Sequence, residues 1–155
     1  MKHYIVDGNN VIHKVKSLSQ LVRKDKQSPR EKLIYMIENY FQGRKAKITI
    51  HYDGFERLPI RTSFIRVIYS DKKTADEKIK HQIEAEENRN NLTVITSDDN
   101  IKSFARKCGC EVISSENFIK QLQSRGKVDE EAARISSMSN NEYFKNIFNA
   151  SKPPK

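Results

Sequence analysis

Short apolar runs alternate along most of the chain with longer stretches in which apolar positions recur every three or four residues. Five runs read as strands: Tyr4–Val6, Ile48–Tyr52, Phe64–Tyr69, Leu92–Ile95 and Glu111–Ile113. They are rich in Val, Ile and Tyr, and polar residues or glycine bound each of them. The stretches between them carry helical signals. Ser28-Pro29-Arg30-Glu31 has the form of a capping box with proline at the first helical position, Leu33, Ile34, Ile37 and Phe41 follow at helical spacing, and Gly43 can close the helix. Thr74-Ala75-Asp76-Glu77 is a second capping box, ahead of a stripe of Ala75, Ile79 and Ile83. A third helix is expected from Asp99 to Lys107, with Ile101, Phe104 and Ala105 inward and Gly109 as its stop, and a fourth begins near Ser115 with Phe118, Ile119 and Leu122 inward.

Strands alternating with helices predict an α/β fold: a mainly parallel sheet covered on both faces, in three layers. The link Gly54–Ser63 between the second and third strands resists, because it is short for a parallel crossover. After Gly126 the pattern weakens. Ser139-Asn140-Asn141-Glu142 caps a last short helix with Tyr143, Phe144, Ile147 and Phe148. The expected division is a domain over 1–125, a helical extension over 126–150 packed on it, and a disordered tail over 151–155.

Composition narrows the partners. The chain of 155 residues carries 29 Lys and Arg against 20 Asp and Glu, a net charge of +9. Residues 1–73 hold 16 basic and 7 acidic side chains, so the whole excess lies there. A polyanion is the natural partner of such a surface, since Lys and Arg displace phosphate counterions. Arg23, Lys24, Arg57, Arg61, Lys72 and Lys73 are the candidates to grip it. No run of eighteen apolar residues spans a membrane, and the N-terminus lacks the pattern of a signal peptide. Cys108 and Cys110, one residue apart, suit no disulfide framework, so a reducing cytoplasm is the expected setting.

The chemistry gathers at the strand ends. The first strand ends in Asp7, within Asp7-Gly8-Asn9-Asn10; the second ends at Asp53; the fourth runs into Thr96-Ser97-Asp98-Asp99-Asn100. In open parallel sheets ligands bind at the carboxyl ends of the strands, where chain order reverses. Asp76 lies three and seven residues before Ile79 and Ile83, on the sheet-facing side of its helix. Carboxylates sharing a pocket repel one another, and a divalent cation such as Mg²⁺ or Mn²⁺ removes that repulsion with oxygen ligands. Each acid alone also has a bland reading as a turn residue, a first-turn acid or an N-cap. Dinucleotide, P-loop and nucleophile-elbow motifs are absent, and His3, His13, His51 and His81 share no ligand spacing.

DGNNVI, HYDGFE, KKTADEKIKHQIE, LTVITSDDNIKSFARKCGCEVIS and SENFIKQL, in this order over residues 3–123, resemble the YacP-like NYN domain family of PIN-like nucleases. That resemblance implies strand order 3-2-1-4-5 and a metal-dependent endoribonuclease. It nominates Asp7, Asp76 and Asp98 as the acids that hold Mg²⁺ or Mn²⁺, with Asp99 or Asn100 as a further oxygen and Thr96 or Ser97 orienting them. Asn9, Asn10 and Asp53 take supporting places. The expected substrate is RNA, with mRNA and a ribosome that presents it as the form left open. The alternative is a non-catalytic RNA-binding module on the same fold.

Overall fold

The computed structural model describes residues 1–124. Strands β1 (Lys2–Asp7), β2 (Ala46–Tyr52), β3 (Ile65–Tyr69), β4 (Leu92–Ile95) and β5 (Glu111–Ile113) form one sheet in the order β3-β2-β1-β4-β5. Every neighbouring pair is parallel. The helices are α1 (Gly8–Lys14), α2 (Lys16–Ser19), α3 (Gln27–Phe41), α4 (Ala75–Ala85), α5 (Asp99–Lys107) and α6 (residues 115–124). The extension expected over 126–150 and the tail over 151–155 lie outside the described residues.

Alternation along the strands splits the core in two. Val6, Ile48, Ile50, Tyr52 and Ile95 pack against α1, α2, α3 and α6, whose contributions include Val11, Leu18, Leu33, Ile37 and Phe118. Ile5, Leu92 and Val94 point the other way, to Ile79 and Ile83 of α4 and Ile101 and Ala105 of α5. The result is the three-layer α/β/α arrangement expected from the alternating pattern.

Two local expectations are corrected. Ser28 does not cap α3. Its backbone N–H and its hydroxyl both donate to the Asp25 carboxylate, at 2.6 and 2.9 Å, and the helix starts at Gln27. These bonds hold the Asp25 carboxyl below its ordinary range. The capping box at Thr74 is present as expected: the Thr74 hydroxyl accepts from the Glu77 N–H, and the Glu77 carboxylate accepts from the Thr74 N–H. The β2–β3 link is a parallel crossover after all, carried by residues 53–64 without a helix. It manages this by leaning on α3, which is already in place: Gln27 Nε2 donates to the Leu58 carbonyl at 3.0 Å, and the Ser63 N–H donates to Glu38 Oε1 at 2.6 Å.

Candidate active site

The chain order reverses between β1, at the centre of the sheet, and β4. That is where a crevice opens at the carboxyl edge of an open parallel sheet. Asp7 is the last residue of β1, only 6% exposed, and α1 begins at the next residue. The turn is tight because Gly8 has no side chain. A Cβ there would run into the Tyr52 ring and stand 2.8 Å from the His51 carbonyl oxygen. The two asparagines that follow brace the neighbours on either side. Asn9 Oδ1 accepts from the Asp53 N–H at 2.9 Å, at the end of β2. Asn10 Oδ1 accepts from the Ser97 N–H at 2.8 Å and from the Ser115 hydroxyl at 2.7 Å, at the ends of β4 and β5.

Thr96 joins two of the acids. Its hydroxyl donates to Asp7 Oδ2 at 2.9 Å and accepts from the Asp98 N–H at 3.1 Å. Asp98 Oδ1 caps α5 through the Ile101 N–H at 3.0 Å, which leaves Oδ2 free of protein hydrogen bonds among the described residues. Asp53, the least marked of the acids in the sequence, is drawn to the same edge. Its Oδ1 accepts from the Ala75 N–H at 2.8 Å, at the first residue of α4, and its carbonyl accepts from Arg30 at 2.8 Å. Asp76 stands one residue further along α4. Asn100 Nδ2 reaches its Oδ2 at 3.4 Å. Its other oxygen is buried without a hydrogen-bond partner among the described residues, since the Lys80 ammonium lies 3.3 Å away but off the line of a bond. Asp99 is not drawn in: its side chain is 99% exposed and faces Lys102 at 3.8 Å.

The electrostatics follow from this crowding. Burial pushes the Asp7 carboxyl up to about 6, the Asp53 and Asp98 charges add to the rise, and the Thr96 hydroxyl opposes it. Asp7 makes no full capping hydrogen bond to α1, although the Asn10 N–H is close enough to oppose the rise; its main polar partner is Thr96. As the side chains stand, no three Asp, Glu, His or Cys groups among the described residues are close enough to chelate an ion. The chemistry of the donors nevertheless fits a hard cation. They are carboxylate oxygens around an Asp7 raised chiefly by burial and further by the Asp53 and Asp98 charges, and one buried oxygen of Asp76 lacks a hydrogen bond among the described residues.

Two features escaped the sequence. Glu116, at the start of α6, accepts from the Ser97 hydroxyl at 2.8 Å, which holds its carboxyl below the ordinary range. Ser97 therefore braces this fifth acid and makes no hydrogen bond to an aspartate among the described residues. The only available signal was position: Glu116 follows β5 at the edge where the other acids follow their strands. The second feature is a buried polar chain below Asp7. His51, the register partner of Asp7, has Nε2 2.6 Å from Gln82 Oε1; Gln82 Nε2 lies 3.4 Å from Thr49 Oγ1 and from His3 Nε2, which are 2.9 Å apart. Burial pushes both imidazoles down.

The basic candidates are all exposed. Lys72 and Lys73 directly precede the Thr74 cap, one turn from Asp76. Arg23 and Lys24 precede α3, at the end of that helix where Arg30 reaches the Asp53 carbonyl. Arg57 follows Asp53 in the crossover, whereas Arg61 lies down the flank of α3 in a cleft with Tyr35 and Glu38.

The model of the YacP-like NYN domain family matches residues 4–152. The chain belongs to the YacP-like NYN domain family. It is a nuclease family with a PIN-like fold, which supports an endonuclease with RNA as the substrate class. Nucleases of this kind generally use divalent metal ions. Two crystal structures share the fold. Rae1 (YacP) from Bacillus subtilis is 20% identical with a TM-score of 0.74, covering 97% of this chain and 90% of that one. Its W164L mutant is also 20% identical, with a TM-score of 0.73 over 89% and 85% of the two chains. A search of the curated proteins finds no significant match. Among the described residues no helix is long and apolar enough to cross a membrane.

Proposed function

We propose that this NYN domain is a metal-dependent endoribonuclease whose centre is Asp7, Asp76 and Asp98, with Asp53 beside them. The observation that carries the reading is the assembly of these carboxylates at the β1/β4 reversal around a buried Asp7 that resists ionisation. Asp7, the free oxygen of Asp98 and the oxygen of Asp76 that faces Lys80 without a hydrogen bond would hold Mg²⁺ or Mn²⁺. A divalent ion bound there neutralises charge on a phosphodiester and acidifies a water.

The chain's own residues do the rest. Thr96 keeps Asp7 and the start of α5 in fixed relation, and Asn9 and Asn10 hold three strand ends level. Lys72 and Lys73 hold the phosphodiester chain against the acids, and Arg23, Lys24 and Arg57 extend the grip. In the hydrolysis a P–O bond to water replaces the P–O bond to the departing nucleotide. The setting that goes with this reading is the cytoplasm, with mRNA as substrate and a ribosome as the assembly that presents it. Both cysteines are free thiols, in keeping with a reducing compartment.

The rival reading, a non-catalytic RNA-binding module, gains from one observation: Asp53 and Asp98 each spend an oxygen on a helix N-terminus. One experiment separates the two. The protein is incubated with diverse RNAs with and without Mn²⁺, the new ends are mapped, and melting is followed in parallel. Internal cleavage that needs the metal, with a melting temperature raised by Mn²⁺, is expected. Asp98→Asn, which keeps a capping oxygen but not the charge, should weaken that thermal response. A protein indifferent to millimolar Mn²⁺ in both stability and cleavage would overturn the reading.

A further inference from the structure

The β2–β3 crossover holds an exposed aromatic ring on an anchored backbone beside the acids. Asp53 is tied to α4, α3 and Asn9 by the bonds given above. Gly54, in the left-handed region at φ 82°, donates its N–H to the Ser70 hydroxyl at 3.0 Å and accepts from the Asp71 N–H at 2.8 Å. Further on, Gln27 holds Leu58 and Glu38 holds Ser63. The segment is thus tied to α3, β3 and α4. Ile60 in the same loop packs against the core, so apolar surface was within reach. Phe55 nevertheless stands 59% exposed. Its Cα lies within about 7 Å of that of Asp53, because only Gly54 separates them. The Asp71–Gly54 bond also brings the turn that carries Lys72 and Lys73 against the root of Phe55.

We infer that Phe55 is a stacking platform for an unpaired base of the RNA, next to the phosphate held at the acids, and is the residue by which this site engages a single strand. The inference rests on the nuclease reading for its substrate class. An aromatic face between exposed cations is the usual combination for single strands: the ring takes a base and the cations track the backbone. A paired duplex keeps its bases stacked on one another and has none to offer a side chain. The spacing from Asp53 confines the base to a nucleotide at or beside the cleaved linkage. The ring belongs to neither apolar cluster among the described residues, so substitution there is expected to leave the fold standing.

The test compares a short single-stranded RNA carrying 2-aminopurine with the matching blunt duplex. Phe55→Ala should weaken single-strand affinity roughly 5- to 150-fold, leave duplex affinity unchanged, and abolish the 2-aminopurine quenching that wild type produces. Phe55→Trp should restore affinity and quenching, and Phe55→Leu should not. An equal effect on single strand and duplex, or full rescue by leucine, would overturn the platform. So would unchanged RNA affinity with a lowered melting temperature, which would mean that the ring is covered by protein. Wild type that binds and quenches through Phe55 but cleaves nothing with Mn²⁺ would support the platform and overturn the nuclease reading. Wild type that cleaves while Phe55→Ala keeps full affinity would do the reverse.

Discussion

The two faces of the sheet are built from the same strands and obey different rules. On β2, Thr49 and Ile50 are adjacent and neither has any exposed surface. Ile50 points to α3, within an apolar cluster that includes Val6 and Leu33. Thr49 points to α4 and meets His3 and Gln82. On β1 the same split puts Val6 in the larger core and sets His3 and Asp7 on the other side. The α3 face is held by non-directional burial. The α4 face adds to its own apolar cluster of Ile5, Ile79, Ile83 and Val94 a column of hydrogen bonds whose members must keep their angles, and that ordered column leads to the acids. A catalytic carboxylate needs fixed orientation more than it needs burial, and the polar face supplies it.

The largest break in this contrast comes from Ile50→Ala. It should cost about 2–5 kcal/mol of stability by cavity formation, read as a lowered denaturation midpoint, while the cleavage rate per folded molecule stays near wild type. Asp7→Asn should do the opposite. Cleavage in single turnover with Mn²⁺ should fall roughly a hundredfold or more. In the metal-free protein stability should rise, because the folded pKa of about 6 stands above the ordinary value of 3.8. For such a group the favourable contribution is complete below the unfolded pKa and is lost as pH rises through the folded one. Above pH 6 the ionised Asp7 therefore costs about 3 kcal/mol, which asparagine avoids. Unfolding curves at pH 5 and 8 check this, and equal stability of the two proteins at pH 8 would remove the burden ascribed to Asp7.

The histidines sharpen the contrast from the other side. Both imidazoles are pushed below 6.5, so the folded state resists their protonation. Their contribution is present above the unfolded pKa and is lost as pH falls below it. In wild type the gain from protonating Asp7 masks part of that loss, whereas Asp7→Asn should show it alone as a melting temperature that drops steadily below pH 6.5. A pH-independent melting temperature in that variant would mean that the polar column does not titrate. The smallest effect concerns the basic residues. Arg57→Ala should lower the salt slope of RNA binding by about 1 and leave sequence preference alone, and Arg61→Ala, on the flank of α3, should change it less.

The elements themselves were legible because their signals are local. The runs Leu92–Ile95 and Glu111–Ile113 coincide with β4 and β5, and the box at Thr74 opens α4 as its spacing predicts. Asp25 shows where that stops. It lies three residues ahead of Ser28 and takes the Ser28 N–H that Glu31 would take in a capping box, and nothing in the local pattern says which acid wins. The strand order came from resemblance, since alternation alone fixes a parallel sheet but not its sequence of neighbours. Asp7, Asp76 and Asp98 stood out by position, whereas the place of Asp53 depends on a bond to Ala75, 22 residues away. His3 and His51 looked unrelated because Gln82, which joins them, belongs to a helix on another layer. The crossover looked too short because its support comes from α3 and not from itself.

The braces around Asp7 also set an order of events in folding. The bond from Thr96 to Asp7 closes a separation of 89 residues, and the one from Ser115 to Asn10 closes 105. Contacts so distant in the chain form late, after the loops between them have been brought together. A growing chain that has not yet produced β4 contains Asp7, Asp53 and Asp76 but lacks the hydroxyl that orients the first of them and the fourth acid. Under the nuclease reading, activity is therefore withheld until synthesis of the domain is nearly complete, and a half-made copy is no threat to the message that encodes it.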